Sequence, residues 1–158
     1  MLELYLLRHA DAGDPAAWQG PDEARPLSRK GLRQAERLGA FLARLGFAPD
    51  AVITSPLVRA RETAETVAAA LDVPWAEDAR LAFGAGLGDV QAVVADHADA
   101  SRLLLVGHDP DFSELVTDLT GADAPMKKGA LARLDVVAGV VPGGAVLRWL
   151  LPPDLLKG

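Results

Sequence analysis

Leu2-Glu3-Leu4-Tyr5-Leu6-Leu7-Arg8-His9 decides the fold. Leu2 to Leu7 is a short, nearly continuous apolar run, the pattern of a strand buried on both faces. Arg8 and His9 close it with polar groups that a core does not need. The pattern recurs twice. Ala51 to Thr54 is apolar and leads into Ser55-Pro56-Leu57-Val58-Arg59, and Arg102 to Val106 leads into Gly107-His108. Between these runs the spacing turns helical. Ser28 reads as an N-cap for a helix whose apolar face is Leu32, Ala35, Leu38, Leu42 and Leu45, stopped at Gly46. Ser55 reads as a cap with Pro56 in the first helical position, opening a helix over Leu57 to Leu71 that Pro74 bars from continuing. Further helices are expected from about Asp89 to His97 and from about Asp111 to Thr120, with Gly121 as the stop. The segment between Val73 and Gly88 is ambiguous, with a short strand near Trp75. Ala130 to Val137 and Ala145 to Leu150 flank Pro142-Gly143-Gly144 and read as a hairpin.

Strands alternating with helices predict a three-layer α/β/α domain with a mostly parallel central sheet, and the hairpin adds at least one antiparallel strand. A length of 158 residues fits one domain, 1–158. A hydrophobic content of 50% excludes disorder over most of the length. The chain has no cysteine, which excludes a thiol nucleophile, a disulfide scaffold and a Cys-based metal site. A formal net charge of −6 argues against non-specific nucleic-acid binding and polybasic membrane binding. No apolar run approaches the roughly 18 residues of a membrane span. Arg8-His9 interrupts the first apolar run and no basic stretch precedes it, so it does not read as a signal peptide. A cytoplasmic protein with neither nucleic acid nor membrane as partner is expected.

In open α/β sheets, ligands collect beyond the carboxyl ends of the strands. Arg8-His9, Arg59 and Gly107-His108 all follow strands, so parallel neighbours would bring two histidines and two arginines to one edge. Taken singly, each has a plainer reading: a histidine after a strand is commonly structural, and an arginine in the first turn of a helix is commonly solvated. Taken together they have a chemical meaning. Arginine forks onto phosphate oxygens. A neutral imidazole can attack phosphorus. A transferring phosphoryl group needs alignment and charge stabilisation more than covalent chemistry. Such a set requires neither a metal nor another cofactor. The long stretch from Ala10 to Pro26 reads as a loop, and long ordered loops are often functional. His97 reads as a solvated helix end, and Trp18 and Trp75 as core or loop anchors. Gly84-Ala85-Gly86-Leu87-Gly88 lacks the Lys-Ser/Thr of a phosphate-cradling loop. Lys127-Lys128 reads as a two-charge surface patch.

Four segments, in order and spacing, resemble the histidine phosphatase superfamily. Leu7-Arg8-His9-Ala10 looks like its Arg-His-Gly signature. Arg25-Pro26-Leu27-Ser28-Arg29-Lys30-Gly31 with Gln34-Ala35 looks like its Pro-Leu-Thr helix start. Ser55-Pro56-Leu57-Val58-Arg59-Ala60-Arg61-Glu62-Thr63-Ala64 and Val106-Gly107-His108-Asp109-Pro110 look like its second arginine and second histidine motifs. In size and layout the chain is similar to the SixA-type phosphohistidine phosphatases, with little room for the helical lid of larger members. The resemblance implies a phosphoglycerate mutase-like fold and a metal-independent phosphatase. His9 would be the nucleophile, with Arg8, Arg59 and His108 holding the phosphoryl oxygens and Arg25 as an additional binding residue. Its implied partner is a phosphorylated protein, a histidine phosphotransfer domain. The alternatives are a small phosphorylated metabolite as substrate of a phosphomonoesterase or mutase, and a non-catalytic phosphate-binding module. In this subgroup Lys127 and Lys128 would border the site.

The sequence departs from the pattern twice. Ala10 stands where glycine is common. The region that carries a general-acid Glu in many members reads Arg80-Leu81-Ala82-Phe83-Gly84, without a carboxylate, although Glu77 and Asp78 lie upstream. Members of the acid-phosphatase branch carry an Asp directly after the second histidine, which implies an acid role for Asp109. Its plainer reading is a cap for the following helix. A missing strong acid favours phosphohistidine, whose imidazole leaves once solvent protonates it, over an alkyl phosphate.

Overall fold

The computed structural model describes residues 1–157. Its frame is a six-stranded sheet in the order β3-β2-β4-β1-β5-β6. The strands are β1 (Leu2–Arg8), β2 (Ala51–Thr54), β3 (Ala76–Glu77), β4 (Arg102–Gly107), β5 (Leu131–Val136) and β6 (Ala145–Leu151). β3, β2, β4 and β1 are parallel, and β5 runs antiparallel to both β1 and β6. The mostly parallel sheet and its closing hairpin are those read from the sequence.

The continuous apolar runs are explained by cover on both faces. Along β1, Tyr5 and Leu7 pack with Leu38 and Leu42 of α1 (Arg29–Arg44) and Ala64 and Val67 of α2 (Val58–Leu71). Leu4 and Leu6 point the other way, toward Val90 and Val93 of α3 (Leu87–Ala95) and Phe112, Leu115 and Leu119 of α4 (Asp111–Thr120). Each strand residue therefore leaves water whichever way it points, at about 25 cal/mol per Å² of apolar surface. Among the described residues, no helix is long and apolar enough to cross a membrane.

Three details differ from the sequence reading. First, the face of α1 is rotated. Leu32 and Leu45 are exposed, while Gly31, Gln34, Ala35, Leu38, Gly39 and Leu42 are buried. The first turn of α1 packs on the chain just after β1, where a Cβ on Gly31 would collide with the Asp11 carbonyl and Gln34 Oε1 accepts the Asp11 amide at 2.9 Å. Second, α3 begins at Leu87. Asp89 lies inside its first turn and accepts the Gly86 amide at 2.9 Å, an N-terminal brace that displaces the boundary. Third, Ser55 is not the cap of α2. The helix starts at Val58, after Leu57, because Ser55 still belongs to the sheet, its amide donating to the Val106 carbonyl at 2.9 Å.

Candidate active site

Sheet register assembles the site. Arg8 pairs with Gly107 and Thr54 with Val106. His9, Ser55 and His108 therefore leave three adjacent strands at nearly the same height, and the His9 amide extends the ladder to the Gly107 carbonyl at 2.9 Å. The two imidazole centroids are 5.3 Å apart. Arg59, in the first turn of α2, and Arg8, at the tip of β1, complete the cluster.

The nucleophile candidate is held on one side only. His9 Nδ1 lies 2.7 Å from the Ala10 carbonyl, which can only accept, so Nδ1 carries the proton and Nε2 keeps its lone pair. Ala10 is buried, outside the left-handed region, and its amide donates to Thr63 Oγ1 at 3.1 Å. The methyl group at this glycine-favouring position therefore costs no backbone strain. Thr63 in turn donates to the Arg59 carbonyl at 2.7 Å, so one hydroxyl ties the end of β1 to α2.

Burial drives the His9 pKa down to about 3; the Ala10 hydrogen bond opposes that shift, and the charges of His108, Arg59 and Arg8 add to it. Burial and the Arg59 charge likewise lower His108 to about 4. Both rings are neutral at pH 7. His108 Nε2 lies 2.7 Å from Ser55 Oγ, which also accepts the Leu57 amide at 3.2 Å.

The arginines are each held at one edge. Arg8 Nη1 donates to the Met126 carbonyl at 2.7 Å. Arg59 Nη1 donates to the Asp22 carbonyl at 2.9 Å, and its Nη2 to Asp22 Oδ2 at 3.1 Å. Asp22 also accepts from Arg25 Nε at 3.2 Å, and Arg25 Nη1 donates to the Ala12 carbonyl at 2.7 Å. Arg25 is thus buried at the base of the loop, one carboxylate away from Arg59. Partial desolvation beside the two arginines raises the Asp22 pKa, but their hydrogen bonds and charges outweigh it and hold the carboxyl below the usual carboxylate range. Among the described residues, three buried side-chain nitrogens have no hydrogen-bond partner: Arg8 Nε, Arg59 Nε and His108 Nδ1. Buried polar nitrogens without a partner are rare and call for an explanation. Here all of them fall on the four clustered residues, a grouping suited to a multi-oxygen anion.

Asp109 stands at the start of α4, where its plainer reading puts it, and beside Arg8. Its Oδ1 accepts the Ser113 amide at 3.0 Å and hydroxyl at 2.6 Å, bracing the first turn of α4, while Oδ2 lies 3.9 Å from Arg8 Nη1. The upstream carboxylates are engaged elsewhere, Glu77 with Arg61 and Asp78 with Arg80. The Arg80–Gly84 region instead brings Phe83 to the site, its ring 6.1 Å from that of His108 and 63% exposed. Asp111, whose carboxyl burial pushes up, fixes this loop by accepting the Gly84 and Ala85 amides. Trp18 anchors the long loop through the Pro21 carbonyl at 2.8 Å. Asp22, Ser55 and Thr63 were not singled out as site residues in the sequence. Ser55 was accessible to the rule that found the histidines, since it too is a polar residue at a strand end. Asp22 left only its three-residue spacing from Arg25.

Residues 4–103 match the family model of the histidine phosphatase superfamily (branch 1). The chain belongs to that superfamily. As a histidine phosphatase it is 36% identical, over 140 residues and 84% of each chain, to an uncharacterised protein from Picosynechococcus sp.. It is 26% identical over 164 residues to the phosphohistidine phosphatase SixA of Escherichia coli, covering 99% of this chain and 97% of that one. A solved structure of the protein histidine phosphatase SixA complexed with tungstate superposes with a TM-score of 0.85 at 24% identity, covering 99% of this chain and 100% of that one. The phosphoglycerate mutase-like fold expected from the motifs is therefore the fold of this histidine phosphatase.

Proposed function

We propose that this histidine phosphatase is a metal-independent phosphohistidine phosphatase acting on phosphorylated protein, in two steps through His9. His9 Nε2 attacks phosphorus in line, the P–N bond to the substrate imidazole breaks, and that imidazole leaves with a proton from solvent. Water then attacks the phosphoryl group on His9, the second P–N bond breaks, and inorganic phosphate is released. Arg8 and Arg59 offer their unpaired Nε edges to the equatorial oxygens. Ser55 donates its hydroxyl proton to His108 Nε2 in this reading, which leaves Nδ1–H as a third donor to the phosphoryl group. Asp109 Oδ2 orients Arg8, and Arg25 supports Arg59 through Asp22.

The observation that carries the reading is the one-sided anchoring of His9: Nδ1 bonded, Nε2 free, beside arginine nitrogens that lack partners. The substrate class is supported by the near end-to-end match in length to SixA, and by the Arg80–Gly84 segment, which brings Phe83 and no carboxylate toward His108, where an alkoxide leaving group would call for a strong acid. The test is to quench the enzyme during turnover of a phosphohistidine peptide. An acid-labile, base-stable label on His9 is expected, absent from His9→Ala, with the peptide turned over faster than p-nitrophenyl phosphate. Wild-type turnover by His9→Ala would remove the nucleophile. Preferred turnover of the alkyl or aryl phosphate would remove the substrate class.

A further inference from the structure

Sharing Arg8 with the phosphoryl site is a cleft of about 420 Å³ lined by Arg8, Lys30, Lys127 and Lys128 against Asp11 and Asp154. It is a local cationic excess on a chain of net charge −6. The backbone of two of its lysines is fastened down. Met126 accepts from Arg8 Nη1, and the Gly129 amide donates to the carbonyls of both Arg8 (3.2 Å) and His9 (3.0 Å). Lys127 and Lys128 lie between these two fastenings, so their backbone is fixed to the strand that bears the nucleophile. Gly129 has φ +81°, a left-handed conformation that lets the chain double back there. Lys128 Nζ is 3.5 Å from Asp11 Oδ1, and Lys127 Nζ is 3.9 Å from Asp154 Oδ2 across an exposed pair.

Lys30 adds an independent sign. It sits in the first turn of α1, which holds Arg29 and Lys30 and no acidic residue. Cations at a helix N-terminus oppose the helix dipole, so this placement does nothing for the helix. Among the described residues, no carboxylate lies within salt-bridge distance of Lys30.

We infer that this cleft is a second anion subsite that receives a carboxylate side chain flanking the phosphohistidine of the protein substrate. The inference rests on the phosphohistidine reading and extends it to what surrounds the phosphorylated residue. Arg8 is shared: its Nε edge serves the phosphoryl group while its flank lines the cleft, so the two anions are read side by side. Substrates with acidic residues next to the phosphohistidine are bound more tightly, and the advantage fades with added salt.

The experiment compares two phosphohistidine peptides, one with Glu and one with Ala flanking the phosphohistidine, on wild-type enzyme and on Lys30→Ala/Lys127→Ala/Lys128→Ala. Wild type should favour the Glu peptide by about threefold to tenfold in KM, at similar kcat, and the preference should shrink at high salt. The triple variant should lose it while turning over p-nitrophenyl phosphate as wild type does. Equal KM for both peptides on wild type, or a preference that survives in the triple variant, overturns the subsite while leaving the substrate class intact. A variant impaired toward a bis-phosphorylated small molecule but not toward the Glu peptide overturns it as well. No turnover of either peptide would overturn both readings at once.

Discussion

Arg8 and Arg59 face one site from supports of opposite kinds. Arg8 rides on the tip of a central strand, its Nη1 held by a backbone carbonyl of the segment that leads into β5. Arg59 rides on a helix, its Nη1 and Nη2 both held by Asp22, a residue in a 3₁₀ turn of the long loop. The first support is part of the sheet frame. The second can be altered in the loop without touching the core. The difference teaches where this site is rigid and where it is adjustable: histidines and Arg8 are fixed by register, Arg59 and Arg25 by a surface carboxylate.

The comparison can be pressed from its strongest point downward. Arg59→Ala removes a charge that no strand-borne group replaces, and kcat should fall by roughly two to four powers of ten. A loss under about threefold in steady-state kinetics would take Arg59 out of the reaction. Asp22→Ala removes the carboxylate from Arg59 Nη2 and Arg25 Nε and leaves the backbone carbonyl on Arg59 Nη1, so kcat/KM should fall by roughly tenfold to a hundredfold. Asp22→Asn should recover part of that loss, because an amide oxygen can still accept from Arg25. Ser55→Ala touches the strand side instead. Without its hydroxyl, His108 Nε2 loses its partner, and kcat should drop by about threefold to tenfold while the fold persists.

A measurement of stability separates the histidines from everything else. Their folded pKa values, about 3 for His9 and about 4 for His108, lie below the ordinary 6.5. Between these limits the unfolded chain binds more protons than the folded one. Stability from this source is therefore full above pH 6.5 and is lost progressively toward pH 3. Melting temperatures recorded across that window should fall with pH, and His9→Asn/His108→Asn should flatten the slope.

Much of this geometry was legible in the residues. A strand buried on both faces announces itself as an unbroken apolar run, so a polar pair at its end stands out; this found Arg8, His9 and His108. The hairpin around Pro142-Gly143-Gly144 was legible for the same local reason. What stayed hidden was set by distant partners. Asp22 acts on Arg59, 37 positions away, and Ser55 on His108, 53 away. In the linear chain, one looks like an ordinary turn residue and the other like an ordinary helix cap. Leu32 was misplaced because a period describes which residues share a face and not which face is covered. The chain beyond β1 covers the face of Gly31 and Gln34 instead.

The long loop is also closed at its base. The Ser28 amide donates to the Asp11 carbonyl at 3.0 Å, and the Ser28 hydroxyl to Asp11 Oδ2 at 2.6 Å. Everything from Ala12 to Leu27 hangs beyond that neck, while His9 and Ala10 lie before it. Loops whose ends already meet tolerate changes in length at little entropic cost. This stretch is consequently a natural cassette so long as Asp22 and Arg25 are kept: exchanging the rest would reshape what reaches the cleft while His9, the proposed nucleophile, stays where the sheet has put it.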